Sequence, residues 1–328
     1  VCSSDLTIMR GVWLMLWGFV KKIVIADRIG AFTKEIFGHT FDYHGGIFLA
    51  VGIAYSIQIY CDFSGCMDIV RGTSECFGIV LGENFRRPYF SQTLPEFWRR
   101  WHLSLGAFFR EYVFYPVSTS KLFLKLNVKI RDYLGNVIGK VFAASIPILC
   151  VWVLTGLWHG AKWNYIAWGL YHGVLICMST LFEEPLAKLT KALRIKTDCI
   201  SWEIFRMLRT FILCVIGRLI FMGQGIRSSI WMIRSMVFDH SKVYNIVDEF
   251  SLSGREWRVL IFGCLLLLAV SIAQEIMERR GSTGDVREWL AKQNIVFKWL
   301  VMAAGLAFIA ICGVYGSGAG ASFIYEQF

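Results

Sequence analysis

Charged residues are scarce in this chain, and some long stretches lack them altogether. Asp, Glu, Lys and Arg make up 18% of the 328 residues, whereas about a quarter of a typical soluble domain is charged. No charged residue occurs in 141–161, in 163–182 or in 299–325. As helices, these stretches are long enough to cross a hydrocarbon core of about 30 Å. The scarcity argues against an ordinary soluble domain and indicates a membrane protein with several spans.

The sequence also lacks the short motifs of common metal and hydrolase sites. It has ten cysteines but no Cys-x-x-Cys, and no His-Glu-x-x-His or Gly-x-Ser-x-Gly occurs. Half of the cysteines lie singly within apolar runs, where a thiol behaves as a small hydrophobe: Cys150, Cys177, Cys214, Cys264 and Cys312. Packing therefore explains the cysteines better than disulfides or metal binding, and we predict no metal site.

The apolar pattern predicts an all-α, polytopic membrane bundle with seven membrane segments. They are 8–26, 45–61, 141–160, 163–182, 204–225, 257–275 and 297–315. Residues 66–82 carry charges at helical spacing and predict a separate, partly buried or interfacial helix. Residues 94–116 mix aromatic side chains with arginines, which predicts a helix that lies in the interface or re-enters the protein. No soluble domain is evident.

The positive charge fits the same setting. The net charge is +10, and Lys and Arg gather in the connections, where anionic lipid and the positive-inside bias favour them. A nucleic-acid partner is disfavoured because the aromatic residues lie inside apolar runs. Three connections, 119–140, 183–202 and 276–298, hold five, four and five Lys or Arg. This bias places them in the cytoplasm and the turn that carries His159 on the outside.

Histidines near apolar segments are candidates for proton transfer, because a bilayer penalises ionisable groups that have no task or partner. His159 lies in a tight hairpin turn between Trp158 and Trp163, where Gly156 and Gly160 let the helix backbones approach closely. Partial desolvation there keeps an imidazole neutral. An interfacial histidine bonded to a carbonyl is an equal alternative. His172 lies roughly 13 Å deeper, at about 1.5 Å per residue. Depth favours His172 over His159, but a core histidine bonded to a neighbouring helix is the commoner case.

A second candidate site combines His102 with Arg99 and Arg100. Planar guanidinium groups beside a histidine can hold a phosphate or carboxylate, and they can equally grip lipid headgroups. Asp62 ends an apolar segment, where it can cap a helix, orient a histidine or pair with an arginine. Structural pairing is the favoured interpretation for Asp62.

Several motifs, taken in order, closely resemble the membrane-bound O-acyltransferase family, in its bacterial alginate O-acetyltransferase-like branch. They are Tyr60-Cys-Asp-Phe-Ser-Gly65, Glu83-Asn-Phe-Arg-Arg-Pro-Tyr89, Glu96-Phe-Trp-Arg-Arg-Trp-His-Leu-Ser-Leu105, Phe109-Arg-Glu-Tyr-Val-Phe-Tyr-Pro116, Thr155-Gly-Leu-Trp-His-Gly-Ala161 and Trp168-Gly-Leu-Tyr-His-Gly173. The resemblance implies a single integral-membrane domain over 1–328, with helices around a central tunnel that joins the two faces. It also implies that the chain is the later two-thirds of the family fold and lacks the N-terminal spans.

The same resemblance implies a site and a reaction. His159 corresponds to the family's invariant histidine and His102 to its second motif histidine. The supporting or substrate-binding residues would be Trp158, Asp62, Arg99, Arg100, Asn84 and His172. The donor would be acetyl-CoA or another acyl thioester, with no tightly bound cofactor. The acceptor would be a cell-surface polysaccharide or cell-wall polymer, with membrane lipids around the protein and an extracytoplasmic SGNH-type acetyltransferase or esterase as partner. The chain would lie in the inner or plasma membrane.

Three other functions remain open at this stage. D-alanyl transfer to teichoic acid is the runner-up, because relatives with that activity share the Trp-His-Gly hairpin. A transporter of an acyl or lipid-linked substrate would use His172 and Asp62 as gating groups, but the internal repeats expected of many transporters are not evident. A scaffold subunit without chemistry would tolerate alanine at both His102 and His159.

Overall fold

The computed structural model describes residues 3–239, 241–242, 244–282 and 285–315. Regular structure in these residues is helical throughout, apart from an isolated antiparallel bridge between Phe85 and Trp101. The all-α prediction is therefore confirmed for the described part of the chain.

The helices follow one another with short connections. The first half of the chain forms α1 Ser3–Phe19, α2 Asp27–Gly38, α3 Ile47–Cys76, α4 Leu94–Trp98, α5 Leu103–Phe109, α6 Tyr115–Thr119, α7 Lys121–Leu134 and α8 Asn136–Trp158. The second half forms α9 Trp163–Ala192, α10 Ile200–Met222, α11 Ile226–Phe238, α12 Ile246–Glu249, α13 Gly254–Arg279, α14 Val286–Ala291 and α15 Ile295–Cys312. Two π-helical turns, Val20–Ala26 and Arg110–Phe114, continue α1 into α2 and α5 into α6.

Contacts divide the chain into two compact units. The first unit comprises Val1–Asn84 and Met236–Phe328, and the second comprises 85–235. The resemblance implies a single domain over 1–328, and that stays a prediction.

Five helices are long and apolar enough to cross a membrane: Ile47–Cys76, Val141–Trp158, Trp163–Ala192, Gly254–Arg279 and Ile295–Cys312. They correspond to five of the seven predicted segments, and the chain is a multi-pass membrane protein. The other two predicted segments, 8–26 and 204–225, are helical but do not belong to these five.

The predicted helix at 66–82 is correct only in part, because residues 66–76 are helical and partly buried but belong to α3. Helix α3 continues without interruption to Cys76, and no helix covers 77–82. The charges that suggested a break are paired within the first unit: Asp68 with Lys21 at 2.6 Å and Glu75 with Arg287 at 2.9 Å. Since their charges are compensated, these carboxylates do not force the helix to end.

The predicted element at 94–116 is present as three short helices and a π-turn rather than one helix. Pro95 and Pro116 both lie in the first turn of a helix, where proline is well tolerated. The Thr93 side chain caps α4 by accepting a hydrogen bond from the Glu96 backbone amide at 3.3 Å. The break between α4 and α5 sets the direction in which the side chains of Trp101 and His102 project.

In the second unit, helices α8 and α9 form a hairpin whose backbones touch. A Cβ atom at Gly156 would lie 2.5 Å from the Tyr165 carbonyl oxygen, and one at Gly169 would collide with the Trp152 carbonyl. Glycine is therefore required at both positions. This confirms the predicted close approach at Gly156 and fixes the turn between the helices, which carries His159.

Helix α10 is fastened to α9 by two hydrogen bonds. The Asn164 amide donates to the Phe221 carbonyl at 2.8 Å, and the Tyr171 hydroxyl donates to the Leu213 carbonyl at 2.9 Å. Asn164 is 1% exposed, and a buried polar side chain of this kind is stable only when it is paired. The two bonds set the register of α10 against the hairpin.

Candidate active site

His159 lies at the C-terminal end of α8 in a tight turn. Its backbone amide donates to the Gly156 carbonyl at 3.2 Å, and the Gly160 amide donates to the Leu157 carbonyl at 3.0 Å. Gly160 has a φ of +130°, a conformation that residues with a side chain rarely adopt. The helix therefore stops at the histidine, and the imidazole projects from a fixed point.

Aromatic rings enclose the half-buried His159 imidazole. Its ring centroid lies 4.7 Å from Trp158, 5.0 Å from Phe221 and 5.2 Å from Trp168. Tyr165 lies farther away, at 6.3 Å. We call Trp98, Trp152, Tyr165, Trp168 and Phe221 the aromatic cluster, since they pack together in the core of the second unit. His159 thus lies against the edge of the cluster.

His102 also lies close to Trp158, with 6.2 Å between the two ring centroids. It precedes α5 with a φ of +48°, in the left-handed region. A residue with a side chain adopts that conformation at a cost of about 1–3 kcal/mol, and such residues often occur at functional sites. The Arg86 amide bonds the Arg100 carbonyl at 2.9 Å and holds the approach to this bend.

Both histidines are neutral at physiological pH. Burial lowers the pKa of His102 to about 4. Burial, the positive charge of Arg218 and the neighbouring His102 lower the pKa of His159 to about 3. Each ring therefore keeps a nitrogen lone pair that can accept a proton.

His172 belongs to the same neighbourhood but is fully enclosed. It is 2% exposed, and its ring centroid lies 4.9 Å from Trp98 and 5.4 Å from both Trp152 and Trp168. Its Nδ1 atom has no hydrogen-bond partner among the described residues. That nitrogen therefore does not make the bond to a neighbouring helix that a satisfied core histidine would make. Trp168 touches both His159 and His172.

The two arginines of the 94–105 motif differ in their surroundings. Arg100 forms an ion pair with Glu96 at 2.8 Å, whereas Arg99 is exposed at the end of α4. The structure does not bring them together as a pair of planar donors, and their predicted roles in binding stay predictions.

Asp62 and Asn84 lie in the first unit. Asp62 is 1% exposed and accepts a bond from the Lys22 ammonium at 2.6 Å. The favoured interpretation, structural pairing, agrees with this contact, although the partner is a lysine rather than an arginine. Asn84 donates to the Met67 sulfur at 3.3 Å. Their predicted supporting roles stay predictions.

The sequence interpretation missed Arg218. This residue is 4% exposed, and its guanidinium carbon lies 4.6 Å from the centre of the Trp101 ring. A signal was present, because Arg218 is the one charged residue in the apolar stretch 211–222. The argument that selected His172, an ionisable group inside an apolar segment, applies equally to this arginine.

No three His, Cys, Asp or Glu side chains in the described part of the chain come together in a way that could hold a metal ion. The site combines two neutral imidazoles, neighbouring aromatic rings and one buried cation. It can accept a proton and stabilise a negative charge, which are the two requirements of acyl transfer to a hydroxyl group.

Comparison with known proteins decides the family. The family model for membrane-bound O-acyltransferases matches residues 10–130, a range that contains His102. The probable alginate O-acetylase AlgI of Pseudomonas syringae pv. tomato is 30% identical over 275 residues, 84% of this chain and 48% of that protein. The chain belongs to the membrane-bound O-acyltransferase family.

Other relatives in the family carry different activities in their names. The peptidoglycan O-acetyltransferase of Helicobacter pylori is 28% identical over 70% of this chain and 39% of its own length. The teichoic acid D-alanyltransferase of Bacillus subtilis is 29% identical over 53% of this chain and 42% of its own length. The chain spans about half the length of the curated relatives that it matches first.

Proposed function

We propose that this membrane-bound O-acyltransferase moves an acetyl group from a cytoplasmic acyl thioester to hydroxyl groups of a cell-surface or secreted polysaccharide. The observation that carries the proposal is the neutral His159 imidazole, held at the end of α8 against the aromatic cluster and beside His102. Relatives named as alginate and peptidoglycan O-acetyltransferases support the choice of acetyl and of a carbohydrate acceptor.

In the proposed reaction His159 is the general base. It removes the proton of the acceptor hydroxyl while that oxygen attacks the carbonyl carbon of the thioester. The carbonyl electron pair moves onto its oxygen and forms a tetrahedral intermediate. When the carbonyl re-forms, the carbon–sulfur bond breaks, and the thiolate takes the proton from the His159 imidazolium. The products are an O-acetyl ester and a free thiol.

The aromatic enclosure gives this reaction a physical advantage. Water competes with the acceptor hydroxyl for an activated thioester, and the buried rings of Trp168 and Phe221 against the imidazole disfavour water there. The neutral state of His159 has the same origin, since burial is the largest cause of its lowered pKa. His102 shares the neighbour Trp158 with His159, and from there it can bind the acceptor or the donor.

The proposal extends to the cellular setting. We place the protein in the inner or plasma membrane, with the donor arriving from the cytoplasm through the bundle and an extracytoplasmic SGNH-type partner completing delivery. D-alanyl transfer to teichoic acid is the second candidate, supported by relatives from Bacillus subtilis and Streptococcus thermophilus.

The deciding experiment replaces His159 with alanine on the chromosome, so that the protein is made at its native length and in its native membrane. A matched control is His39→Ala, because His39 lies in the first unit and its side chain is 61% exposed. We expect acetate released by mild alkali from the surface polymer to fall by roughly 10²–10⁴-fold, the usual contribution of a positioned general base. The His39 variant should keep the wild-type level, with equal protein abundance by immunoblot.

D-alanine content, measured in parallel, separates the two candidates. A loss of D-alanine with unchanged acetate would select the second. Unchanged levels of both in the variants His159→Ala and His102→Ala would reject catalysis and favour a scaffold or transporter.

A further inference from the structure

The Arg218 guanidinium is buried without the partners that such a group normally has. Neither its Nε nor its Nη2 atom has a hydrogen-bond partner among the described residues, and no carboxylate in that part of the chain forms an ion pair with it. Buried charges are usually paired because removing a cation from water is costly. The face of Trp101, 4.6 Å from the guanidinium carbon, offsets part of this cost. This contact with Trp101 still leaves the Nε and Nη2 groups of Arg218 without a hydrogen-bond acceptor among the described residues.

Two separate contacts connect Arg218 to the histidine pair. Along α10, Phe221 lies one turn after Arg218 on the same face of the helix, and its ring contacts His159 at 5.0 Å. Through the other contact, Trp101 precedes His102, which lies 6.2 Å from Trp158, itself a neighbour of His159. Both routes lead from Arg218 to His159 through aromatic neighbours, and the charge of Arg218 acts on the His159 imidazole.

A buried arginine elsewhere in the chain shows the usual arrangement. In the first unit, Arg28 is 7% exposed, and its Nη1 and Nη2 atoms donate to the carbonyls of Val24 and Cys312 at 2.6 and 2.8 Å. The Nε atom of Arg28 has no hydrogen-bond partner among the described residues, but the bonds of its two Nη atoms indicate a structural role. No carbonyl or carboxylate among the described residues accepts a hydrogen bond from the Nε or Nη2 atom of Arg218, so these donors are available to an anion that the described residues do not supply.

We propose that Arg218 binds the oxyanion that forms on the acyl carbonyl oxygen during transfer. The inference rests on the proposed function and adds a second catalytic residue to it. When the hydroxyl oxygen attacks the thioester, the electron pair displaced from the carbonyl double bond moves onto the carbonyl oxygen, and the preorganised guanidinium of Arg218 stabilises that negative charge. The proton moves from the hydroxyl to His159, so the net charge of the site does not change. When the carbonyl re-forms, the oxygen leaves Arg218 and the thiolate departs.

A transient oxyanion suits this position better than a permanent anion of the substrate. Arg218 lies near enough to His159 for its charge to act on the imidazole, and the carbonyl must also lie near His159 if the base is to reach the attacking hydroxyl. The guanidinium is nearly inaccessible to solvent, and electrostatic stabilisation is strongest in such a site because little water competes. A phosphate anchor for a long thioester donor would serve best at a distance from the reacting carbon.

The test compares two acetyl donors in membranes that contain the protein at its native length. Acetyl-CoA carries phosphates, whereas the thioester of acetate with N-acetylcysteamine carries no charge. With an uncharged oligosaccharide as acceptor, we expect Arg218→Gln to lower kcat by about 10²–10³-fold with both donors and to change KM little, as for loss of an oxyanion donor. A loss confined to acetyl-CoA, or a higher KM at unchanged kcat, would overturn the assignment in favour of a phosphate anchor.

Two further variants keep the result interpretable. Arg209→Gln is the matched control, because Arg209 is an exposed arginine on the same helix that donates to the Gln92 carbonyl at 2.8 Å; it should retain wild-type kcat. Arg218→Lys keeps a buried cation near Trp101 but removes the planar fork. At normal abundance it should lose kcat with both donors, and full activity would contradict the proposal even if the Gln variant fails to fold.

His159→Ala, assayed in the same membranes, separates the two proposals. Loss of transfer in His159→Ala but not in the Arg218 variants would reject only the oxyanion role. Transfer retained in His159→Ala would reject the proposed function itself.

Discussion

Two buried polar regions of this protein are built in opposite ways. In the first unit, Lys22 contacts Asp62 at 2.6 Å and Asp27 at 2.9 Å, and Lys21 contacts Asp68 at 2.6 Å and Ser64 at 2.9 Å. We call Lys21, Lys22, Asp27, Asp62 and Asp68 the ion-pair network.

In the second unit, the ionisable groups are His102, His159, His172 and Arg218, and their described neighbours are mostly aromatic rings. The difference shows which polar region holds the fold together and which is available for chemistry. A buried charge with all of its partners present is a structural element, while a buried donor without partners can stabilise a charge that appears during a reaction.

The largest expected effect on stability is at Lys22. Lys22→Met leaves the buried Asp62 and the mostly buried Asp27 without their shared cation, and removing one partner from a buried pair costs about 3–5 kcal/mol of unfolding free energy. We expect low abundance and a lower melting temperature in detergent, with partial recovery in Lys22→Met/Asp62→Asn. The control is Arg10→Gln, since the exposed Arg10–Glu288 pair at 3.6 Å should contribute at most about 1 kcal/mol. Equal losses of stability in Lys22→Met and Arg10→Gln would contradict the structural role assigned to the ion-pair network.

The pH dependence of the reaction tests the electrostatic difference between the two regions. Arg218, His102 and the Tyr165 ring face His159, and the positive charge of Arg218 opposes protonation of the imidazole. Only the neutral imidazole can act as a base, so the wild-type rate should not fall until the pH approaches about 3. Removing the charge in Arg218→Gln raises the pKa of His159, and the acid limb of the rate profile should move to higher pH. An unmoved limb would show that the arginine does not act on His159.

The smallest expected effect is at His172. His172→Phe keeps an aromatic ring among Trp98, Trp152 and Trp168 but removes both nitrogens. Because Trp168 lies between His172 and His159, we expect transfer to fall by less than the roughly 10²-fold that marks loss of a general base. The measurement is kcat in membranes at equal abundance. A loss as large as that of His159→Ala would move the catalytic assignment to the deeper ring.

Much of the architecture could be predicted from the sequence. The stretches at 141–161 and 163–182 gave the α8–α9 hairpin because a charge-free run of that length has few other stable structures in a membrane protein. Gly156 indicated a close backbone approach because glycine has no side chain to keep two helices apart. Both inferences needed only neighbouring residues.

The rest depended on partners far away in the chain. Helix α3 could not be followed past residue 61, because the cations that neutralise Asp68 and Glu75 lie 47 and 212 residues away. The proximity of His102 to His159 came from resemblance alone. The sequence shows Arg218 as the one charged residue in 211–222, but whether a buried charge has a partner is a property of the fold, which the sequence does not display.

The tight contact between the α8 and α9 backbones has a consequence for the energetics of the reaction. With Gly156 against the Tyr165 carbonyl and Gly169 against the Trp152 carbonyl, the hairpin has little freedom to shear or splay. The imidazole at its tip is thus immobilised when the protein folds, before any substrate arrives. A looser loop would lose conformational entropy each time it positioned the imidazole for reaction. Here that entropy is lost once, when the protein folds.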